Sequence, residues 1–357
     1  MYKKAVGSVL MILGTSVGAG MIALPVVTAY QNFYVSLLLL VFAWFLMTVG
    51  AFSLLEVNLW LPSRTNMISM AEKTIGKFGK SITWIVYLLL LYSLICAYLS
   101  GLGDIIQSLL MNVSISIPRW SATILGLSLF GLIVYRGISS VDIVNRGFMS
   151  IKLIAYILLV MLIAKNININ FALDGDYNWH SGAFMIMLTS FGYAIVVPTL
   201  REYLETNLNI LKKVILIGSL IPLIIYTFWI FVVQGVITRY GDNGLIHMLN
   251  SSESNSLLMN NISHVSNILW VPGIAKLFIS ICAVTSFLGV SICLSDFLSD
   301  GIKIEKKGRP ALIIYSITYI PPLIIVLIFP GIFITALDYA GILCLILLIL
   351  IPLCMLY

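Results

Sequence analysis

The chain is built from a succession of continuous apolar runs, each about as long as the roughly 20 residues that a helix needs to cross a bilayer. A membrane barrel would instead show short alternating strands. Only 10% of the residues are charged and 61% are hydrophobic, whereas soluble domains carry about 25% charged residues. The sequence therefore predicts an all-α polytopic membrane protein.

The apolar runs are spread evenly, which favours one transmembrane domain over residues 1–357 rather than two soluble domains. The first run follows Lys3 and Lys4 but continues past Pro25, so we interpret it as a retained span rather than a signal peptide. We place ten spans at residues 6–30, 33–59, 81–111, 119–135, 147–165, 181–200, 213–235, 273–298, 311–329 and 331–356.

Lysine and arginine are distributed unequally between the two sides of these spans. With a cytoplasmic N-terminus, sixteen of them fall in inside segments, against Arg119, Lys165 and Arg239 outside and Lys276 near the outer end of span eight. The positive-inside rule then predicts that both termini are cytoplasmic. The basic residues are scattered between spans, so the net charge of +6 does not indicate a nucleic-acid partner.

Residues 14–21, Gly-Thr-Ser-Val-Gly-Ala-Gly-Met, interrupt the first span. Each glycine weakens a helix by about 1 kcal/mol relative to alanine, and a freed backbone group finds no water in the bilayer. Such a segment is tolerated where it lines a cavity or binds something. The alternative is helix packing, because Gly14 and Gly18 have the GxxxG spacing.

Span six has a similar interruption, Thr189-Ser190-Phe191-Gly192-Tyr193, followed by Pro198. Ten spans divide into two halves of five, and the second half then enters the membrane from the opposite side. This predicts a 5+5 inverted repeat, with one repeat over about 1–165 and the other over about 181–357. Interrupted spans at matching positions in two such halves point to a transport site.

The segment from Gly14 to Pro25 resembles the first-span signature of the bacterial hydroxy and aromatic amino acid permease family, which includes tyrosine- and tryptophan-specific permeases. Three other segments are similar to family motifs: Leu54–Leu59, Val141–Arg146, and Thr189–Gly192 with Pro198. The resemblance implies the amino acid–polyamine–organocation superfamily and a LeuT-type fold with broken helices 1 and 6. It also implies proton-coupled amino acid uptake across the cell inner (cytoplasmic) membrane.

Two departures from the family pattern affect these expectations. Family members usually have eleven spans, against the ten counted here. Tyrosine-type members carry a histidine at the position of Ala194. We expect an aromatic substrate, tyrosine or tryptophan, but phenylalanine and small neutral amino acids remain open.

An amino acid at a helix break would have its carboxylate bound by the N–H groups of one half-helix and its ammonium by the carbonyls of the other. Aromatic residues nearby would cap an apolar side chain, the alternative for each being plain packing. The predicted substrate-binding residues are Thr15, Ser16, Val17, Gly18, Ala19, Gly20, Ser190, Phe191, Gly192, Tyr193, Tyr92 and Tyr98.

Lys152, about one turn inside span five, is the predicted proton-coupling residue. In LeuT-type proteins span five approaches the break in span one, and the resemblance implies a lysine amine there in place of a sodium ion. The alternatives are a lysine snorkelling at the cytoplasmic edge, or a sodium site completed by Thr285 and Ser286 of span eight.

Other functions are disfavoured by what the sequence lacks. There is no Walker-type phosphate loop, no pair of catalytic groups at mid-membrane depth, and no metal-ligand spacing among the five cysteines. We therefore expect neither an enzyme nor a bound metal or cofactor beyond the coupling ion. The bilayer and a small-molecule amino acid are the expected partners, and an amino acid sensor on the same fold is the rival function.

Overall fold

The computed structural model describes residues 2–62, 65–204, 207–264, 270–304, 306 and 308–357, and the regular elements within them are helical. Short 3-10 turns occupy Ala164–Asn166 and Gly192–Val196, and a π-helical turn occupies Ile346–Leu350. The helices are α1 (Tyr2–Ser16), α2 (Ala19–Val27), α3 (Phe33–Leu59), α4 (Met67–Thr74), α5 (Lys77–Asn112), α6 (Arg119–Tyr135), α7 (Ile138–Ile163), α8 (Ile169–Leu173), α9 (Ser181–Ser190), α10 (Val197–Tyr203), α11 (Leu208–Val236), α12 (Leu245–Asn250), α13 (Ser254–His264), α14 (Val271–Ile302), α15 (Arg309–Ile328), α16 (Phe333–Leu345) and α17 (Ile351–Leu356).

These helices fall on the ten predicted spans. Within the described ranges, eight are long and apolar enough to cross a membrane, and the bent pair α1–α2 makes a ninth. The fourth predicted span is α6, an apolar helix of 17 residues, about 25 Å long at 1.5 Å per residue. The prediction of an all-α polytopic membrane protein is confirmed.

Two of the loops between spans carry short helices. Helix α4 lies in the basic segment after span two, and α12 and α13 lie in the long polar loop after span seven. Two residues counted as inside, Arg64 and Lys307, lie outside the described residues. The orientation of the chain in the membrane stays a prediction.

The packing places the first and sixth spans against each other. Helix α1 packs on α11, α2 packs on α9, and α14 packs on α7. The Thr189 hydroxyl of α9 donates to the carbonyl of Leu337 in α16 at 3.0 Å. The interruption in span one therefore lies among spans five, six, seven and eight.

Arg239, immediately after α11, is buried and closes one end of the bundle. Its guanidinium donates to the carbonyls of Ala29 (2.5 Å), Gln31 (2.9 Å) and Ala172 (3.3 Å), and the residue is 3% exposed. Burial lowers the pKa of Arg239 from its ordinary value, yet a guanidinium stays protonated in proteins. The sequence analysis treated this residue only as a loop charge.

Arg201, at the end of α10, makes a matching clamp at the other end of the bundle. Its guanidinium donates to the carbonyl and side-chain oxygens of Asn58, and to the carbonyl of Leu61 at 3.0 Å. The last carbonyls of a helix have no partner within the helix, and here an arginine from another span supplies one. On the predicted topology, Arg239 is outside and Arg201 is inside.

We expect Arg239→Met to destabilise the protein strongly. The substitution keeps much of the apolar stem but leaves three carbonyls without their charged donor, and hydrogen bonds to charged groups contribute about 1.5–3 kcal/mol each. The midpoint of thermal unfolding in detergent is expected to fall by several degrees. Arg136→Met, at an exposed arginine in the loop after α6, is the control, and equal melting of the two variants would contradict this assignment.

Candidate functional site

The first span is unwound at Val17 and Gly18. Helix α1 ends at Ser16, α2 begins at Ala19, and the two axes differ by 51°. Gly18 is extended, with φ −152° and ψ −148°. The predicted break in span one is thus confirmed, at the centre of the glycine-rich segment.

Gly18 is glycine because span eight leaves no room for a side chain. A Cβ at this position would lie 2.3 Å from the Ser286 Oγ. The same hydroxyl accepts the Ala19 N–H at 2.8 Å, which is a donor left free at the start of α2. The close approach and the hydrogen bond together fix the start of α2 against span eight.

Span six is interrupted less than the sequence suggested. Helix α9 ends at Ser190, a 3-10 turn follows over Gly192–Val196, and α10 continues the span without a bend large enough to break it. Pro198 lacks an N–H, so the backbone tightens into a 3-10 turn rather than opening. The expectation of a second broken helix is corrected to a helix with a tightened turn.

The two interruptions lie directly against each other. A Cβ at Gly20 would lie 2.9 Å from the Ser190 Oγ. The Ser190 hydroxyl donates to Ile186 of its own helix, so it fills the space that a side chain at position 20 would need. Spans one and six thus meet at Gly20 and Ser190, as the 5+5 hypothesis requires of a shared site.

Tyr226 of α11 joins both interruptions. Its hydroxyl donates to the carbonyl of Ser16 at 2.6 Å and to that of Ser190 at 3.0 Å, and the residue is fully buried. The Phe191 ring packs edge-on against it, with centroids 5.2 Å apart. Sequence reasoning missed Tyr226, although a phenol deep in an apolar span needs a hydrogen-bond partner and so marks a polar contact.

Lys152 of α7 reaches the unwound segment. Its Nζ donates to the carbonyl of Val17 at 2.5 Å, and the residue is 1% exposed. The snorkelling alternative is therefore wrong. In the part of the chain that the structure describes, Lys152 forms no ion pair with an acidic side chain, and its hydrogen-bond acceptor lies at the negative end of the α1 dipole.

The remaining predicted residues have varied surroundings. Tyr193 is buried and shares a hydrogen bond of 2.8 Å with Thr48. Tyr98 is buried, and it lies close enough to Tyr226 for the two side chains to interact electrostatically. Tyr92 points elsewhere, since its hydroxyl donates to the carbonyl of Ile317 in span nine at 2.8 Å.

Some polar side chains around the break form hydrogen bonds and others do not. Thr15 is exposed and donates to its own helix, and Thr285 likewise donates to carbonyls of α14. Two buried polar atoms near the break, the Ser16 Oγ and the Trp229 Nε1, have no hydrogen-bond partner among the described residues. The Trp229 ring packs edge-on against Phe278 at 5.5 Å. Sequence reasoning missed Trp229, which lies one turn after Tyr226.

The arrangement is suited to binding a zwitterion. The N–H groups at the start of α2 and the carbonyls at the end of α1 are complementary to a carboxylate and an ammonium, and side chains of three other spans bind some of them in this structure. The buried Lys152 amine and the buried Tyr226 hydroxyl contact this segment. These backbone groups and side chains favour reversible binding of a ligand over catalysis of a bond-breaking reaction.

Comparison with known proteins agrees with this geometry. The family model described as the tryptophan/tyrosine permease family matches residues 1–357. The chain is 32% identical to tyrosine-specific transport system 1 of Haemophilus influenzae over 95% of this chain and 84% of that protein. It is 31% identical to glutamine transporter 2 of Aliivibrio fischeri, over 99% and 88% of the two chains.

A more distant relative has the other aromatic substrate in its name. The chain is 27% identical to a tryptophan-specific transport protein of Haemophilus influenzae, over 94% of this chain and 82% of that protein. The full-length family match and these identities agree with the motifs in spans one and six. The chain therefore belongs to the tryptophan/tyrosine permease family and is a multi-pass amino acid permease, not an enzyme.

Proposed function

We propose that the protein imports an amino acid across the cytoplasmic membrane by proton symport with alternating access. The observation that carries the proposal is the Lys152 amine, buried against the Val17 carbonyl in the unwound part of span one. When the conformation of the site changes, both the protonation of a desolvated lysine at this point and the backbone beside it would change. Proton and substrate would thus meet at one short segment.

We further propose a single domain made of two inverted five-span halves, with both termini cytoplasmic. The placement of the loop helices supports this division. Helix α4 follows the second span of the first half, and α12 and α13 follow the second span of the second half. In an inverted repeat these helices would lie on opposite faces of the membrane.

The substrate would bind between spans one and six. Its carboxylate would bind at the start of α2, the positive end of that helix, in place of the Ser286 hydroxyl that accepts the Ala19 N–H in this structure. Its ammonium would take carbonyls at the ends of α1 and α9, and its side chain would meet Phe191 and Tyr226. An aromatic side chain fits this surface, and two of the named relatives are tyrosine- and tryptophan-specific.

Sodium coupling is the first alternative. The Ser286 hydroxyl lies at the break, as a sodium site would require, but it accepts a hydrogen bond from Ala19. The Val17 carbonyl, which such a site would use, is bonded to Lys152. These contacts favour the proton.

An amino acid sensor on the same fold is the second alternative. A sensor would bind the ligand without moving it. Counterflow of labelled amino acid in proteoliposomes distinguishes the two, because only a transporter exchanges internal for external substrate.

We expect Lys152→Met to bind amino acid and to catalyse counterflow, but to lose accumulation driven by a pH gradient. Methionine fills similar volume without the titratable amine. Uptake is measured in sodium-free proteoliposomes at two external pH values, where the wild type is expected to accumulate substrate. Lys165→Met, at an exposed lysine beyond the other end of α7, is the control. Proton-driven accumulation in Lys152→Met equal to wild type would overturn the assignment.

We expect Gly18→Ala to abolish transport, because its Cβ would lie 2.3 Å from the Ser286 Oγ. The double variant with Ser286→Ala removes that oxygen and is expected to recover part of the activity, which gives a coupling energy between the two sites. Gly273→Ala, in the same span as Ser286 with nothing within 4 Å, is the control. Full activity in Gly18→Ala would show that the close approach is unimportant.

We expect uptake of labelled tyrosine or tryptophan to be inhibited by excess unlabelled aromatic amino acids and not by glutamine. All twenty amino acids are tested as competitors in the same proteoliposomes. Inhibition by glutamine alone would reject the aromatic assignment while keeping the amino acid permease.

A further inference from the structure

A separate cavity lies beside the outer ends of spans one, six and ten. Its volume is about 280 Å³, and it is lined by the ends of α2 and α9, by α12 and by the start of α16. None of the residues at the two interruptions, 14–21 and 189–193, lines it. Its polar side chains are those of Tyr30, His180, Ser181, Thr335 and Asp338.

The cavity lies one helical turn from the break. Ile186 forms part of its wall and precedes Ser190 by four residues on α9. Asp338, which also lines the cavity, follows Leu337, whose carbonyl accepts the Thr189 hydroxyl. A molecule in this cavity would therefore be separated from the break by one turn of α9.

Asp338 is the charged group of this cavity that lacks a counter-charge. Its Oδ1 is buried and has no hydrogen-bond partner among the residues described. No lysine or arginine lines the cavity. A buried carboxylate oxygen without a donor is costly, and a bound cation would remove that cost.

Two of the residues that line the cavity form an aromatic pair. The rings of Tyr30 and His180 pack with their centroids 5.2 Å apart and an angle of 37° between their planes. The rest of the lining is mostly aliphatic, with Val27, Ile186 and Leu249 contributing. The cavity thus offers one anionic oxygen and an apolar, aromatic wall.

We propose that this cavity is an outer binding site for the amino acid, where Asp338 binds its ammonium group and the Tyr30–His180 pair contacts its side chain. The inference rests on the proposed transport function. A hard inorganic cation takes six or more oxygen ligands, more than the one carboxylate and three hydroxyl groups of this cavity supply, whereas a carboxylate among mostly aliphatic and aromatic side chains matches an ammonium on an apolar molecule. Pockets for drug-sized ligands begin at about 300 Å³, so this volume is suited to one amino acid.

Asp338→Asn tests the role of the charge with little change in shape. We expect the concentration for half-maximal uptake from the outer side to rise about tenfold, as for the loss of about 1.4 kcal/mol of binding. The half-saturating concentration for efflux from the inner side should stay unchanged, because the central site is intact. Asp242→Asn, at an exposed carboxylate of the loop after span seven, should behave as wild type in both directions.

Two results would overturn the proposal. Unchanged kinetics on both sides would make Asp338 an ordinary rim residue. An equal rise on both sides would place its effect at the central site rather than in this cavity.

Labelling of the cavity provides a second measurement that does not require transport. Thr335→Cys places a thiol at an exposed position of the lining, and a membrane-impermeant maleimide modifies it from outside. We expect about 1 mM tyrosine or tryptophan to slow this labelling about fivefold or more, and equimolar sodium chloride to have no effect. Protection by sodium chloride, or no protection by any amino acid, would refute the site.

The same labelling separates this inference from the proposed transport function. In the Gly18→Ala background we expect protection to persist although transport is lost, and in Asp338→Asn we expect protection to be lost. If the protein proves to be a sensor, the labelling result still decides whether the outer cavity binds amino acids. Loss of protection in Gly18→Ala alone would place the ligand at the break and refute the outer site.

Discussion

A peptide group that leaves a helix inside the bilayer must find a hydrogen-bond partner, since no water is available there. The unwound Val17–Gly18 segment meets this requirement with side chains from three other spans. Tyr226 donates to the Ser16 carbonyl, Lys152 donates to the Val17 carbonyl, and the Ser286 hydroxyl accepts the Ala19 N–H. The break is therefore a product of the whole bundle, because spans five, seven and eight must be in place before span one can open.

The sequence was informative about the backbone and less so about partners. The glycine-rich segment predicted the break in span one, and the fold implied by the family resemblance predicted that Lys152 of span five approaches that break, where it contacts Val17. Tyr226 escaped detection because its partners are carbonyls, which leave no trace in residue identity. The predicted interruption of span six was larger than the observed one, because Gly192 and Pro198 tighten the helix into a 3-10 turn. The sequence alone does not distinguish a tightened turn from an open one.

Each of the two buried arginines connects the second proposed half of the chain to the first. Both Arg201 and Arg239 belong to the second half of the chain, and most of the carbonyls that they bind belong to the first. Their charges look like ordinary loop charges in the sequence. Burial and carbonyl coordination give them the role of clamps at the two ends of the bundle, with the unwound segment between them.

The Tyr226 hydroxyl carries one hydrogen but faces two carbonyl oxygens, at 2.6 and 3.0 Å. At any moment one of these oxygens therefore lacks the phenol's hydrogen and is the better acceptor for another donor. Rotation about a single C–O bond exchanges them without moving the backbone. Spans one and six can thus alternately offer a carbonyl acceptor, and the exchange requires rotation about only one bond. A ligand that carries N–H groups would determine which of the two carbonyls accepts the Tyr226 hydroxyl.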